Sequence, residues 1–453
     1  MLSCLKRGKD FYKMLISLAV PIILQNLINA SLGLCDTFML GVLGETEIAA
    51  VTIANTPFSV INMFTFGFCS GGSVLISQYW GKRDTKTISR VIGVSYMVGF
   101  CVTVLFASIT IIFPEQIVHF YTKDPALIEP ACTYMKIVAA AHILNVFPLV
   151  YVTANRSLEN PKLGTYIFSI SMLINTFLNW IIIFGNFGAP ALGVKGAAIA
   201  TVISRVVENI IAFSHIAFSK RFRINFKLFF RPGKIITKDF FHYGTPIVFN
   251  EGLWGLGVAL FPAIYGNIST SMIAATTVSS NIERILQCFI FGLANTSAVI
   301  VGKHLGAGGK DTAYELGKAL NILSLIVGVV IGIGMIAFIP FVPFVFNLAE
   351  DTLKISYTAI FIFALINPLK CYNFTNVVGV LRAGGDVKAG LILDTGCLWV
   401  IAIPLTAIAG LVFKLDPLYV FLCVISEDLV KAGLGEMRFR QKKWINNITK
   451  EIA

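Results

Sequence analysis

Charge is what this sequence has least of. Asp, Glu, Lys and Arg make up 13% of its 453 residues against 56% hydrophobic, and a water-soluble chain of this size could not cover such a core with polar surface. That excludes a large soluble domain and makes lipid the main solvent. Nine cysteines include no CxxC pair and no Cys/His grouping at metal spacing, and Cys69, Cys101 and Cys288 lie inside apolar runs. They read as small buried hydrophobes, not as a disulfide or zinc framework. No Walker loop, HExxH pair or nucleophile elbow is present, so the chain is expected not to be an enzyme and to take no cofactor. The formal net charge of +12 is spread in short clusters between apolar runs, which argues against nucleic acid as a partner. Lys6, Arg7 and Lys9 precede a long apolar segment with no small-residue cleavage site, so the first helix is expected to be retained.

What is present is a series of apolar runs bounded by Gly, Pro, Asn or charge, at about 12–43, 47–79, 88–113, 127–154, 164–186, 194–219, 238–265, 270–302, 315–345, 352–381, 388–412 and 416–436. A helix needs about 20 apolar residues to cross the bilayer, so the expected fold is an all-α polytopic membrane protein of about twelve transmembrane helices. Lysines and arginines concentrate in alternate connections, with Lys82, Arg83 and Lys86, then Arg156 and Lys162, then the 220–234 cluster, then Lys303 and Lys310, then Arg382 and Lys388, then the tail from Arg438. The positive-inside rule then places both termini in the cytoplasm, with the chain in the plasma (inner) membrane.

The chain also repeats itself. Shifted by 225 residues, Pro21-Ile22 falls on Pro246-Ile247, Ile48-Ala49-Ala50 on Ile273-Ala274-Ala275, Phe66-Gly67 on Phe291-Gly292, and Gly81 on Gly306. One residue further out, Arg156, Lys162 and Gly164 fall on Arg382, Lys388 and Gly390. Each half holds six spans, so the expectation is two six-helix lobes related by a pseudo-two-fold axis along the membrane normal. The boundaries are an N-terminal lobe at 1–219, a basic cytoplasmic linker at 220–237 and a C-terminal lobe at 238–453. Two lobes with a site between them suit alternating access by rocking.

Ala19-Val20-Pro21, Asp36-Thr37 with Gly41 and Gly44, and Ile76 through Gly81, together with Gly193 through Thr201 and Pro246 through Gly257, resemble successive helices of the multidrug and toxic compound extrusion (MATE) family. The resemblance covers nearly the whole chain. It implies a two-lobed antiporter that exports cationic or amphipathic organic compounds in exchange for Na+ or H+; the chain itself is expected to work as a monomer in the lipid bilayer.

Charged residues left inside apolar runs cost at least about 2.5 kcal/mol each on insertion scales and need a partner, a cavity or a task. Asp36 lies deep in the first span with no neighbouring cation in sequence; the competing reading places it at an outer helix end, reaching water. Asn175 and Asn179 are one turn apart and share a face, and Thr201 offers a hydroxyl. Carboxylate, amide and hydroxyl oxygens are the hard ligands an alkali cation prefers, and the resemblance implies that these four positions form a cation site. Amides that only tie helices together are the alternative. Glu251 sits beside Asn250 and one turn before Trp254, an acid, amide and aromatic combination able to receive an organic cation or a coupling ion. Asp394 and Glu283 are further candidates in the same lobe. Arg205 with Glu208, Glu283 with Arg284, and Glu427 with Lys431 have spacings for local ion pairs. The tenth span carries no acid, although some relatives place one there. Pro21 is the expected hinge, since it lacks an amide hydrogen. The rival reading is a flippase for lipid-linked sugar precursors, which would need a cationic cavity.

Overall fold

The computed structural model of the protein describes residues 8–219, 221–346 and 348–450; Lys6, Arg7 and Lys220 lie outside them. The described residues contain no strand. Twelve long helices follow one another: α1 (Lys9–Gly41), α2 (Glu45–Gly81), α3 (Thr85–Ile112), α4 (Pro125–Ser157), α5 (Lys162–Phe184), α6 (Gly193–Phe218), α7 (Lys234–Ile268), α8 (Thr270–Gly306), α9 (Lys310–Phe338), α10 (Glu350–Leu381), α11 (Val387–Val412) and α12 (Pro417–Arg440). The first eleven are long and apolar enough to cross a membrane. The twelfth carries Glu427, Asp428 and Lys431 in its middle, and Asp428 and Lys431 are buried. Its charge therefore faces protein, not lipid. Asp84, Asp124, Ser269 and Asp416 accept from the first free amides of α3, α4, α8 and α12, which meets part of the hydrogen-bonding deficit at those helix starts.

Within the first lobe α2 packs on α3 and α4, α4 on α6, α5 on α6, and α1 on α5; in the second, α8 and α9 pack on α10, α10 on α12, and α7 on α11. The lobes meet through α2, which lies against α7 and α8, and through α1 against α8. These contacts are reciprocal. A Cβ on Gly67 would strike Val248, and one on Gly292 would strike Ile23; 67 and 292, like 23 and 248, are 225 apart. Likewise a Cβ on Gly81 would run into the Lys303 carbonyl and one on Gly306 into the Gln78 carbonyl. Only glycine lets α2 and α8 touch backbone to backbone there, and the symmetry of the contact places it on the axis relating the halves.

This crossing lies on the face that carries the termini, where the lobes are also tied by side chains. Glu159 takes Lys303 of the other lobe at 2.8 Å and the Trp80 indole at 3.2 Å. Burial pushes its carboxyl up, but those bonds and the Lys303 and Arg221 charges outweigh it and hold it below the usual glutamate range. Beyond α12 the tail runs under the first lobe. Gln78 donates to Ala383 and Asn446 carbonyls and accepts from the Ile448 amide, and Lys450 reaches Asp239.

One reading changes with the structure. Arg156 and Arg382 were counted with the loop cations because they stand at helix ends, yet Arg382 is only 2% exposed and both turn inward. α1 runs unbroken through Pro21, whose carbonyl accepts from Thr165 at 3.0 Å.

Candidate functional site

In the first lobe α1 and α5 pack together and bring three of the four expected residues into one cluster. Asn179 Nδ2 donates to Asp36 Oδ1 at 2.6 Å and to Asn175 Oδ1 at 3.1 Å. One turn of spacing on α5 puts both amides on the face toward α1, and both are buried. Asn179 Oδ1 is buried without a hydrogen-bond partner, an acceptor left over beside the carboxylate. The fourth residue stays apart: the Thr201 hydroxyl donates to the Ala197 carbonyl within its own helix at 3.0 Å. Among the described residues no basic side chain pairs with Asp36. Arg205, the cation whose charge reaches it, commits its guanidinium to Glu208 at 2.7 and 2.9 Å.

Asp36 opens onto a cavity of about 370 Å³ lined also by Thr37, Thr52, Asn55, Thr56 and Tyr134. Asn55 donates to the Tyr134 hydroxyl at 3.4 Å. The α2 and α4 members of this lining were not anticipated. Thr52 and Thr56 are one turn apart, and so is Asn55 from either Thr52 or Ser59 within a turn's tolerance, which is a polar stripe in an otherwise apolar run and the signal that could have found them.

The second lobe is built differently. Glu251 is paired with Arg382 at 2.8 Å, Asp394 with Lys431 at 2.9 Å, and Glu283 with Lys370. Asn250 Nδ2 donates to Asp394 Oδ2 at 3.0 Å. Every acid singled out in this lobe therefore already holds a protein cation. Glu283 reaches across to α10 instead of pairing with its neighbour Arg284, and the expected Glu427–Lys431 pair is stretched to 3.9 Å because Lys431 turns to Asp394. Trp254 lines a cavity of about 50 Å³ with Lys370, Asp394, Glu427, Asp428 and Lys431. Neither Lys370 nor Asp428 is a candidate from the sequence, because their partners, Glu283 and Asn373, stand on other helices. The backbone is also distinct: wider π-type turns occupy Thr375–Leu381, just before Arg382, and Leu398–Ala402, one turn after Asp394. Such turns often occur where function requires a side chain to be re-aimed.

A twelve-helix body in two reciprocal lobes, with the Asp36 carboxylate unpaired among the described residues and open to a polar cavity, is the architecture of a membrane transporter. The MatE family profile matches residues 21–181 and again 246–408, the two halves of the internal repeat. The chain belongs to the MatE family. It is 23% identical over 98% of its length to the uncharacterized transporter YisQ of Bacillus subtilis, covering 97% of that protein. It is likewise 23% identical, over 96% of its length and 93% of the relative, to the probable multidrug resistance protein NorM of Thermotoga maritima. Its fold superposes with a TM-score of 0.85 on a MOP superfamily transporter from Pyrococcus furiosus, described as having a reversed binding-pocket polarity that suggests a different function, at 19% identity with 95% and 96% of the two chains covered. It also superposes with a TM-score of 0.86 on a MATE transporter in complex with MaL6, at 18% identity with 95% and 97% covered.

Proposed function

We propose that the protein is a cation-coupled antiporter that exports cationic or amphipathic organic compounds by alternating access, with Asp36 taking the coupling ion, Na+ or H+. The observation that carries this reading is the Asp36 carboxylate, held by Asn179 and Asn175, open to a polar cavity and without a basic partner among the described residues. A lone carboxylate at membrane depth is costly, and a bound cation or proton removes that cost. The leftover Asn179 oxygen and the Asn175 oxygen add neutral ligands to the carboxylate, the hard-oxygen set suited to an alkali ion. Thr201 joins only if its hydroxyl leaves the Ala197 carbonyl.

In the second lobe Asn250, Glu251, Trp254, Glu283 and Asp394 form a reserve site, one that handles cargo or a second cation when an internal ion pair opens. The basic connections support a cytoplasmic terminal face in the inner membrane, and the polar cavity beside Asp36 then opens toward the outside. Binding of ion and cargo is coupled in opposition: a cation on Asp36 weakens cargo binding, and cargo weakens cation binding by the same factor. A flippase for lipid-linked sugars is the second reading, and the buried Lys370, Arg382 and Lys431 are the observation in its favour. Their pairing with Glu283, Glu251 and Asp394 weighs against a cationic cavity.

The experiment is efflux of ethidium from an exporter-deficient host under imposed Na+ or H+ gradients, comparing the native chain with Asp36→Asn. Efflux that follows one gradient and stops in the variant supports the antiporter and names its ion. Well-expressed native protein that moves no cationic dye under either gradient shifts the reading to the flippase.

A further inference from the structure

The two lobes treat one groove differently. In the first lobe a short linker helix, Phe226–Phe230, lies along α3, and Gly93 is pressed against the Phe229 backbone so closely that no Cβ would fit. Phe229 also meets Tyr96 with ring centroids 5.7 Å apart. The residue 225 positions after Gly93 is Lys318, on α9. There the end of α12 and the tail bring Phe439 and Trp444 against the neighbouring Gly317, and beside them a cavity of about 490 Å³ opens between α9 and α12, with α10 behind it.

The lining is graded. Lys318, Glu436 and Arg440 stand near the terminal ends of their helices, while Ile322, Leu325 and Leu369 line the deeper part. Glu436 is spoken for: it accepts from Arg440 at 2.6 Å and from the Tyr372 hydroxyl at 2.5 Å. Lys318 is half-buried and has no hydrogen bond or ion pair among the described residues. Lys442 adds a further cation at the mouth, 4.4 Å from the Tyr314 ring centroid. Among the described residues the pocket thus presents an unpaired ammonium above an apolar shaft, on a side of α9 and α12 that takes no part in the contacts between the lobes.

We propose that this groove binds an anionic phospholipid from the leaflet on the terminal face, its phosphate on Lys318 and one acyl chain along Ile322, Leu325 and Leu369. Charge and shape both select this occupant. A zwitterionic lipid brings its own cation against Lys318, and a free anion leaves the apolar shaft exposed. Basic pockets between membrane helices recognise anionic headgroups in this way.

The test is native mass spectrometry of the full-length protein, purified in neutral detergent, stripped of lipid and titrated with cardiolipin, phosphatidylglycerol, phosphatidylcholine or inorganic phosphate. The expected result is binding of the anionic lipids about tenfold tighter than phosphatidylcholine, a preference lost in Lys318→Gln and kept in Lys318→Arg and in the tail variant Lys443→Gln. Leu325→Trp, which fills the shaft but keeps the charge, should reduce lipid binding with Lys318 intact. Equal binding of the anionic lipids and phosphatidylcholine, or an undiminished preference in Lys318→Gln, overturns the proposal. Inorganic phosphate displacing cardiolipin at comparable concentration would make this an anion pocket and overturn the lipid assignment. Melting temperatures near native for each variant separate lost binding from lost folding, and Leu325→Trp provides the independent variant should Lys318→Gln be unstable.

Discussion

The corresponding arginines of the two lobes, Arg156 and Arg382, each reach back to the first helix of their own half, yet they meet different partners. Arg156 donates to the neutral Gln25 at 2.9 Å, whereas Arg382 holds the acid Glu251 at 2.8 Å. The contrast extends inward. One lobe leaves its deep acid, Asp36, with amides only; the other matches Glu251, Glu283 and Asp394 with Arg382, Lys370 and Lys431. A duplicated scaffold has therefore kept its packing while dividing its electrostatics: among the described residues Asp36 has no basic partner, whereas the acids Glu251, Glu283 and Asp394 are neutralised from within; under the proposed function the first half is the one that takes the outside cation.

The contrast is tested most severely at Asp36. Asp36→Asn keeps the shape and the Asn179 contact but removes the charge, and gradient-driven dye efflux should fall to background. The paired acid Asp394, replaced by Asn in parallel, should cost melting temperature before it costs ion selectivity. If Asp394→Asn abolished sodium- or proton-dependence and Asp36→Asn did not, the division between lobes would be reversed.

Next in size is the pair of arginines. Arg382→Met leaves a buried carboxylate without its counter-ion and should destabilise by about 3–5 kcal/mol, with recovery in the double variant with Glu251→Gln. Arg156→Met leaves only an amide and should cost about 1–3 kcal/mol. Melting in detergent checks both, and equal losses would break the comparison.

The axis itself is sharpened by Gly81→Ala and Gly306→Ala. Each drives a methyl into a backbone carbonyl of the opposite lobe, and overpacking of this kind costs about 1–3 kcal/mol. Because the contact is reciprocal, the two losses should be similar, and melting curves that separate them widely would place the axis elsewhere.

The smallest effect concerns acid. Glu159 is held below the usual glutamate range by Lys303, Trp80 and Arg221 despite its burial. A depressed carboxyl contributes stability above its unfolded value and loses it as pH falls through the folded one. Native protein should therefore lose melting temperature below the ordinary glutamate range, and Glu159→Gln should lack that increment and titrate less.

Hydropathy and a steady 225-residue register made the spans and the repeat legible, and one-turn spacing put Asn175 and Asn179 on one face; that Asp36 stands with them is what the resemblance to the MATE family implied, not what spacing showed. The sequence hid the buried arginines, because a basic residue at the end of a span looks the same whether it turns to water or to protein. It hid Lys370 and Asp428 for the opposite reason: their partners, Glu283 on α8 and Asn373 on α10, are defined by helix rotation, which no run length records. Thr201 lies on the expected helix, but its hydroxyl is free to satisfy itself one turn back, as serine and threonine in apolar helices commonly do.

A protein astride a membrane also sits in an electric field, worth about 2.3 kcal/mol per elementary charge for each 100 mV. Where α2 and α8 cross, glycine lies on carbonyl from both sides, with no side chain between them to swing aside and admit a file of water. Under the proposed function the crossing is electrical insulation: backbone packed on backbone keeps the terminal face leak-tight while ions are taken up from the opposite face.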